Sequence, residues 1–190
     1  MSLLTTSAAR SRAKQGVTYN FNAASVLTER MHNQASLEGH HIFLSHAFDD
    51  KELILGVALT LEDLGYTVYL DWRDDPSLDR KNVNQAAALK LRERMHKSKC
   101  LFFATTENTS NSRWMPWELG FKDGQSNRSA ILPLQATRPD DFKGQEYLGI
   151  YPYITQQRDQ AEKERLWVRR SRTCYVVFEG WLDGKEPYER

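Results

Sequence analysis

The sequence predicts an α/β protein: a flavodoxin-like open parallel sheet of about five strands, in the order 2-1-3-4-5, with helices on both faces. Short continuous apolar runs recur from His40 onward, and each breaks at a polar residue. Between them lie segments whose apolar residues recur at helical spacing. Such alternation of unbroken apolar strands with helices is the pattern of a parallel sheet covered on both sides.

The first strand is His41-Ile42-Phe43-Leu44, ending at Ser45-His46. Asp49 or Asp50 is then placed to cap a helix with Ile54, Val57, Ala58, Leu61 and Leu64 on one face, stopped by Gly65. Residues 66–70 are the second strand, ending at Asp71-Trp72, and residues 73–80 read as a polar loop whose charges suit solvent. A helix is predicted over 83–97, a third strand over 100–104 and a helix over 113–122. Ala130-Ile131-Leu132-Pro133-Leu134 is the fourth strand. Residues 147–154 are expected to form the fifth strand and 157–170 a charged helix, while 173–182 fits strand or helix equally.

Residues 1–38 stand apart as an N-terminal extension to a domain spanning 39–190. Their first acidic residue is Glu29, whereas Arg10, Arg12 and Lys14 precede it. A short helix is predicted over 23–31, and the sheet is expected to fold without this arm.

Lys and Arg total 26 against 25 Asp and Glu, so nothing in the net charge suggests a grip on nucleic acid. No apolar run reaches the roughly 18–20 residues that cross a bilayer. The two cysteines, Cys100 and Cys174, lie in apolar runs and form no C-x-x-C pair, so both read as buried hydrophobes of a protein from the reducing cytoplasm. No metal is expected: His41 and His46 fall on opposite sides of a strand, and Asp74-Asp75 before Pro76 reads as a turn. The chain lacks G-x-G-x-x-G, G-x-x-x-x-G-K-[ST] and G-x-S-x-G, which speaks against a Rossmann-type dehydrogenase, a P-loop NTPase and an α/β-hydrolase.

Ligands of open parallel sheets bind beyond the carboxyl ends of the strands, where the strand order reverses. With order 2-1-3-4-5 that crevice lies between strands one and three. It takes in Ser45, His46, Thr105, Thr106 and the start of the following helix, with Asp71 and Trp72 at its flank. The segment Ser112-Arg113-Trp114-Met115-Pro116-Trp117-Glu118 falls at that helix start. Pro116 suits a first helical turn. Trp114 and Glu118 are four residues apart and share a face. A carboxylate and an indole there can hold and stack a cationic aromatic ligand. The same residues also fit a helix-start carboxylate with two core tryptophans. Trp117 is expected to pack inward with Phe121.

Ile42-Phe43-Leu44-Ser45-His46-Ala47 followed by Asp49-Asp50-Lys51, then Val68-Tyr69-Leu70-Asp71, then Ser112-Arg113-Trp114 through Glu118, and Ile131-Leu132-Pro133-Leu134, occur in the order and spacing of a known family. Over residues 40–155 the chain resembles TIR (Toll/interleukin receptor) domains of the bacterial, NAD-cleaving type, with S-x-W-x-x-x-E at 112–118. Its C-terminal part is loosely similar to the tail of antiviral TIR proteins of the Thoeris type. The resemblance implies NAD glycohydrolysis or ADP-ribosyl cyclisation, with NAD as substrate and no cofactor, feeding a nucleotide signal or depleting NAD in defence. It implies that Glu118 is the catalytic glutamate, holding the ribose hydroxyls and stabilising an oxocarbenium-like transition state. It also implies that Trp114 is a stacking wall and that Ser45, His46, Asp71 and Trp72 line the rim. Self-association, or association with other TIR domains, is the implied partnership. Residues 72–80 occupy the family's BB-loop position but contain no glycine. Two other functions fit the same residues: a non-catalytic TIR scaffold, and a nucleoside deoxyribosyltransferase-like enzyme with Glu118 as nucleophile.

Overall fold

The structure is a computed structural model that describes residues 4–16, 39–78, 83–134 and 146–190. Its sheet begins with five parallel strands: β1 (His40–Ser45), β2 (Val68–Tyr69), β3 (Ser98–Thr105), β4 (Ser129–Pro133) and β5 (Tyr153–Arg158). Three antiparallel strands extend it: β6 (Glu164–Arg169), β7 (Cys174–Val177) and β8 (Tyr188–Glu189). The spatial order is β2-β1-β3-β4-β5-β6-β7-β8. The expected 2-1-3-4-5 order therefore holds, and the chain adds a meander at the β5 edge.

Alternation along the strands divides the core in two, as the pleat requires. Ile42 and Leu44 of β1, with Cys100, Phe102 and Ala104 of β3, face one layer. That layer is closed by α2 (Lys51–Asp63), through Ile54, Val57, Ala58 and Leu61, and by α6 (Phe178–Leu182), through Phe178 and Trp181. Phe43, Leu101 and Phe103 face the other layer. There α4 (Gln85–His96) contributes Leu91 and Met95, and α5 (Trp114–Ser126) contributes Met115 and Leu119. Because both faces are buried, each central strand reads as an unbroken apolar run. Gly65, at φ 92°, ends α2 as expected.

The N-terminal arm is partly docked. Residues 6–16 form a helix, α1. Ala9 and Ala13 are fully buried, and Leu4 belongs to the α2-side core. Gly56 makes the close approach possible: a Cβ there would sit 1.8 Å from the Ala9 carbonyl oxygen. Arg12 adds a two-pronged hydrogen bond to Asp63, at 2.6 and 3.0 Å. This packing opposes the expectation that the sheet folds without the arm. The helix predicted over 23–31 lies outside the described residues.

Three other expectations are corrected. Residues 157–170 are not a charged helix but most of the β5–β6 hairpin. Leu166 and Val168 point inward while Arg165 and Trp167 are only half-buried. The turn is fixed by Asp159, whose Oδ1 accepts from the Ala161 and Lys163 amides. The fifth strand begins later than expected, at Tyr153, because residues 146–150 form a 3-10 turn. The ambiguous 173–182 is strand and then helix, β7 followed by α6. Cys100 is buried and donates to the His41 carbonyl, whereas Cys174 is half-buried.

Candidate active site

Residues 73–80 are less solvent-suited than expected. The first turn after β2 is a short helix, α3 (Asp71–Asp74). The Arg73 guanidinium is buried against Glu62 (2.7 Å), Asp74 (2.9 Å) and the Val68 carbonyl. Asp75 accepts from Arg94 at 2.7 and 2.8 Å and from the Tyr69 hydroxyl at 2.8 Å. Burial opposes ionisation of Asp75, yet these donors hold its carboxyl below the usual value. The loop charges thus fasten β2 and α4 together. Residues 79–80 lie outside the described residues.

At the carboxyl end of β1, Ser45 Oγ donates to Glu118 Oε2 at 2.6 Å, and both residues are fully buried. Glu118 reaches β1 because α5 starts four residues earlier, at Trp114. Ser112 Oγ accepts from the Met115 amide at that start, and Pro116 falls in the first turn, where its missing N–H costs nothing. The crevice is therefore not open at Glu118 as expected; the carboxylate lies in the closed layer between α5 and the sheet. At 2.6 Å this is a short O–H···O hydrogen bond.

Trp114 is 6 % exposed and meets the edge of Trp117 at 5.5 Å between ring centres. Trp117 stacks on Phe121, but it does not pack inward as expected: both rings are only partly buried, with the exposed Arg92 guanidinium 5.6 Å from each, and Trp114 is the more buried indole. A cavity of about 270 Å³ opens beside Trp114. Ala47, Phe48 and Asp49, from the turn after β1, form one wall. Asn111, Ser112, Arg113 and Trp114, at the start of α5, form the other, with Val83 at the rim. The cavity lies on the strand-one and strand-three side where the crevice was expected, but of the predicted site residues only Trp114 lines it; Ser45 and Glu118 are buried beneath.

The remaining predicted binding residues form a separate cluster. His46 follows Ser45 and faces the α2 side, as successive strand residues do. Its Nδ1 lies 2.8 Å from the Leu44 carbonyl, so that nitrogen carries the proton, and its Nε2 accepts from Trp72 Nε1 at 3.1 Å. Asp71 Oδ1 is 3.4 Å from Nε2. His46 and Asp71 are buried and Trp72 is half-buried. The structure therefore pairs Ser45 with Glu118, sets Trp114 beside them, and gathers His46, Asp71 and Trp72 behind β1.

Two polar residues near the site carried no sequence signal of their role. Lys122, one turn beyond Glu118, is 2 % exposed and donates to the carbonyls of Met95 (2.9 Å) and Ser98 (2.6 Å). Burial holds its ammonium below the ordinary lysine value. Asp50 occupies the N-cap position of α2, as expected, but makes no capping bond. Its carboxylate instead accepts from Thr106 Oγ1 at 2.5 Å and Asn108 Nδ2 at 2.7 Å. Among the described residues no group of three or more His, Cys, Asp or Glu side chains is arranged to hold a metal ion, and no helix is long and apolar enough to cross a membrane.

The family model for the TIR domain matches residues 42–167, from the first residues of β1 to the middle of β6. The chain belongs to the TIR domain family. Among curated relatives, it is 44% identical over 165 residues to "Probable 3' cyclic ADP-D-ribose synthase ThsB'" of Bacillus cereus (strain MSX-D12), a match covering 86% of each chain. It is 29% identical over 83 residues to "Putative cyclic ADP-D-ribose synthase TIR2" of Cytobacillus dafuensis, covering 43% of this chain and 22% of that one. The first match is long enough that it must include at least part of the antiparallel extension or of the N-terminal arm. Ser45, Trp114 and Glu118 lie inside the span matched by the TIR family model.

Proposed function

We propose that this TIR protein cleaves the nicotinamide–ribose bond of NAD and closes the ADP-ribose product into a ring. The observation that carries the proposal is the buried Ser45–Glu118 pair, one helical turn from Trp114, which lines the cavity between the turn after β1 and the start of α5. The cyclic product is supported by the names of the two relatives, both called cyclic ADP-D-ribose synthases.

The chemistry asks little of the protein beyond one fixed negative charge. As the C1′–N bond breaks, its electron pair goes to the nicotinamide ring, whose positive charge is thereby neutralised. No strong acid is needed for the leaving group. Positive charge develops on the ribose, and Glu118, held by Ser45, opposes it. Trp114 supplies an aromatic wall for the ring. Attack on C1′ by a hydroxyl of the same ADP-ribose gives the cyclic product with loss of that proton; attack by water gives the linear one. The product is proposed as a nucleotide signal in defence, made by assembled TIR domains in the cytoplasm.

Incubation with NAD, followed by chromatography and mass spectrometry, tests this. Free nicotinamide with a nucleotide one water lighter than ADP-ribose supports the cyclase; free nicotinamide with ADP-ribose alone reduces it to a glycohydrolase. The full burial of Glu118 favours a second reading, a scaffold acting through TIR–TIR assembly. No nicotinamide at any protein concentration, including those that scatter light as assemblies, would establish that reading instead. Free base released from deoxynucleosides would indicate a deoxyribosyltransferase.

A further inference from the structure

We infer that Asp50 is a positioning residue for the proposed NAD cleavage: its carboxylate ties the turn after β1 to the loop after β3 and so sets the width of the cavity beside Trp114. Asp50 is 9 % exposed and makes no ion pair among the described residues. An aspartate at a helix N-cap ordinarily accepts from the helix's own first-turn amides, worth about 1 kcal/mol. Asp50 forgoes that bond, and both of its carboxylate oxygens cross to residues 56 and 58 positions away. A nearly buried carboxylate held by neutral donors across two loops needs a reason beyond helix capping.

The two loops are the two cleft walls. Immediately before Asp50 come Ala47, Phe48 and Asp49, which line the cavity. On the far side, Thr106 and Asn108 are knit into a rigid loop. The Thr106 amide donates to Thr109 Oγ1 at 2.7 Å, and the Asn108 amide to Thr106 Oγ1 at 3.1 Å. The Ser112 amide donates to the Thr109 carbonyl at 3.2 Å, and Ser112 Oγ caps α5. A continuous chain of hydrogen bonds therefore runs from Asp50 to the first turn of α5, which carries Trp114. Releasing Asp50 frees one wall to move against the other without touching Ser45, Trp114 or Glu118. Geometry rather than charge is what the clamp needs. An asparagine at position 50 can still accept from Asn108 through Oδ1 and donate to Thr106 Oγ1 through Nδ2.

The test compares Asp50→Ala, Asp50→Asn and Asn108→Ala with wild type in two readouts. In steady-state NAD cleavage, Asp50→Ala should lose roughly 10- to 100-fold in kcat/KM, mostly through a raised KM, since small misplacements at a site cost that much. Asp50→Asn should stay within about threefold of wild type. Combining Asp50→Ala with Asn108→Ala should add little to the single loss, as for residues acting through one contact. By amide hydrogen exchange, Asp50→Ala should loosen residues 46–50 and 106–112 together, and Asp50→Asn should restore both. An unchanged KM with only a lowered melting temperature would overturn the inference, as would an Asp50→Asn enzyme as impaired as Asp50→Ala. If Asp50→Ala does not fold, Asn108→Ala alone should raise KM at an unchanged melting temperature; an unchanged KM there overturns it. If wild type cleaves no NAD, the proposed function fails and exchange alone decides the clamp: loosening confined to one loop rejects it.

Discussion

Ser45 and Glu118 come from elements 73 residues apart, yet their side chains meet at 2.6 Å with no exposed surface on either residue. A carboxylate placed there for stability alone would be a poor choice, since burying it costs several kcal/mol before its partners are counted. Glu118→Gln keeps the shape and can still accept from Ser45 through its amide oxygen. We expect it to reduce nicotinamide release by about 10²–10³-fold. Circular dichroism should show a native fold, with melting temperature equal to or above that of wild type because a buried charge is gone. Equal rates in wild type and the folded variant would remove Glu118 from the mechanism.

Ser45→Ala addresses the other half of the pair. It leaves the Glu118 carboxylate buried with one donor fewer, a loss of about 1–3 kcal/mol. Melting temperature should therefore fall, in contrast to Glu118→Gln. Combining the two substitutions should recover much of that stability, because the carboxylate that lacked its donor is then absent. Additive losses would mean that the hydrogen bond does not couple the two residues.

Charge reversal in the segment after β2 should be a folding lesion. Arg73→Glu with Asp75→Arg sets like charges against Glu62, Asp74 and Arg94 in sites that are mostly buried. Breaking a buried pair in this way costs about 3–5 kcal/mol. For a domain of this size that is roughly 10 °C of melting temperature. A double variant melting with wild type, and altered only in light scattering, would return these charges to a purely surface role.

The parallel half of the sheet was legible because burial on both faces leaves unmistakable runs such as Cys100-Leu101-Phe102-Phe103-Ala104. Trp114 and Glu118 were legible for a different reason: Pro116 locates the helix start, and four-residue spacing does the rest. The β5–β6 hairpin was missed because Arg165, Trp167 and Arg169 alternate with its apolar residues among many charges, although Arg169 is itself buried. The period-two alternation of Arg165-Leu166-Trp167-Val168-Arg169 is present but is swamped when charge density is read as helix. Spacing also placed His46 at the rim with Ser45, although adjacent strand residues point to opposite faces. The Asp50 clamp and the Lys122 tether depend on contacts between residues distant in sequence, for which a single chain offers no local pattern.

His41 makes stability depend on pH in a known direction. Its Nδ1 accepts from the Thr67 amide at 3.0 Å, which requires the neutral ring, and burial, with Lys99 nearby, holds its pKa below the ordinary value near 6.5. The unfolded chain therefore takes up the proton first as pH falls. This residue's contribution is complete above pH 6.5 and is lost progressively below it, down to the lower folded pKa. Melting curves at pH 7.5 and 5.5 should show a smaller acid-induced drop for His41→Asn than for wild type. An equal drop would assign the acid sensitivity to other groups.

The docking of α1 on α2 can be separated from the intrinsic preference of α2. Gly56→Ala in an isolated helix is favourable by about 0.8–1 kcal/mol. In the full chain the new methyl would lie 1.8 Å from the Ala9 carbonyl oxygen, against backbone that cannot swing aside as a side chain could. The helix must then shift or undock, exposing Leu4, Ala9 and Ala13 and the part of α2 they cover. We expect Gly56→Ala to lower the melting temperature of the full chain. In a chain lacking residues 1–16 the same substitution should raise it, because only the helix preference remains. The sign change is the informative result, since a core defect at Gly56 unrelated to α1 would destabilise both chains. Two equal decreases would show that α1 does not contact Gly56 in solution and would restore the arm as dispensable for the fold.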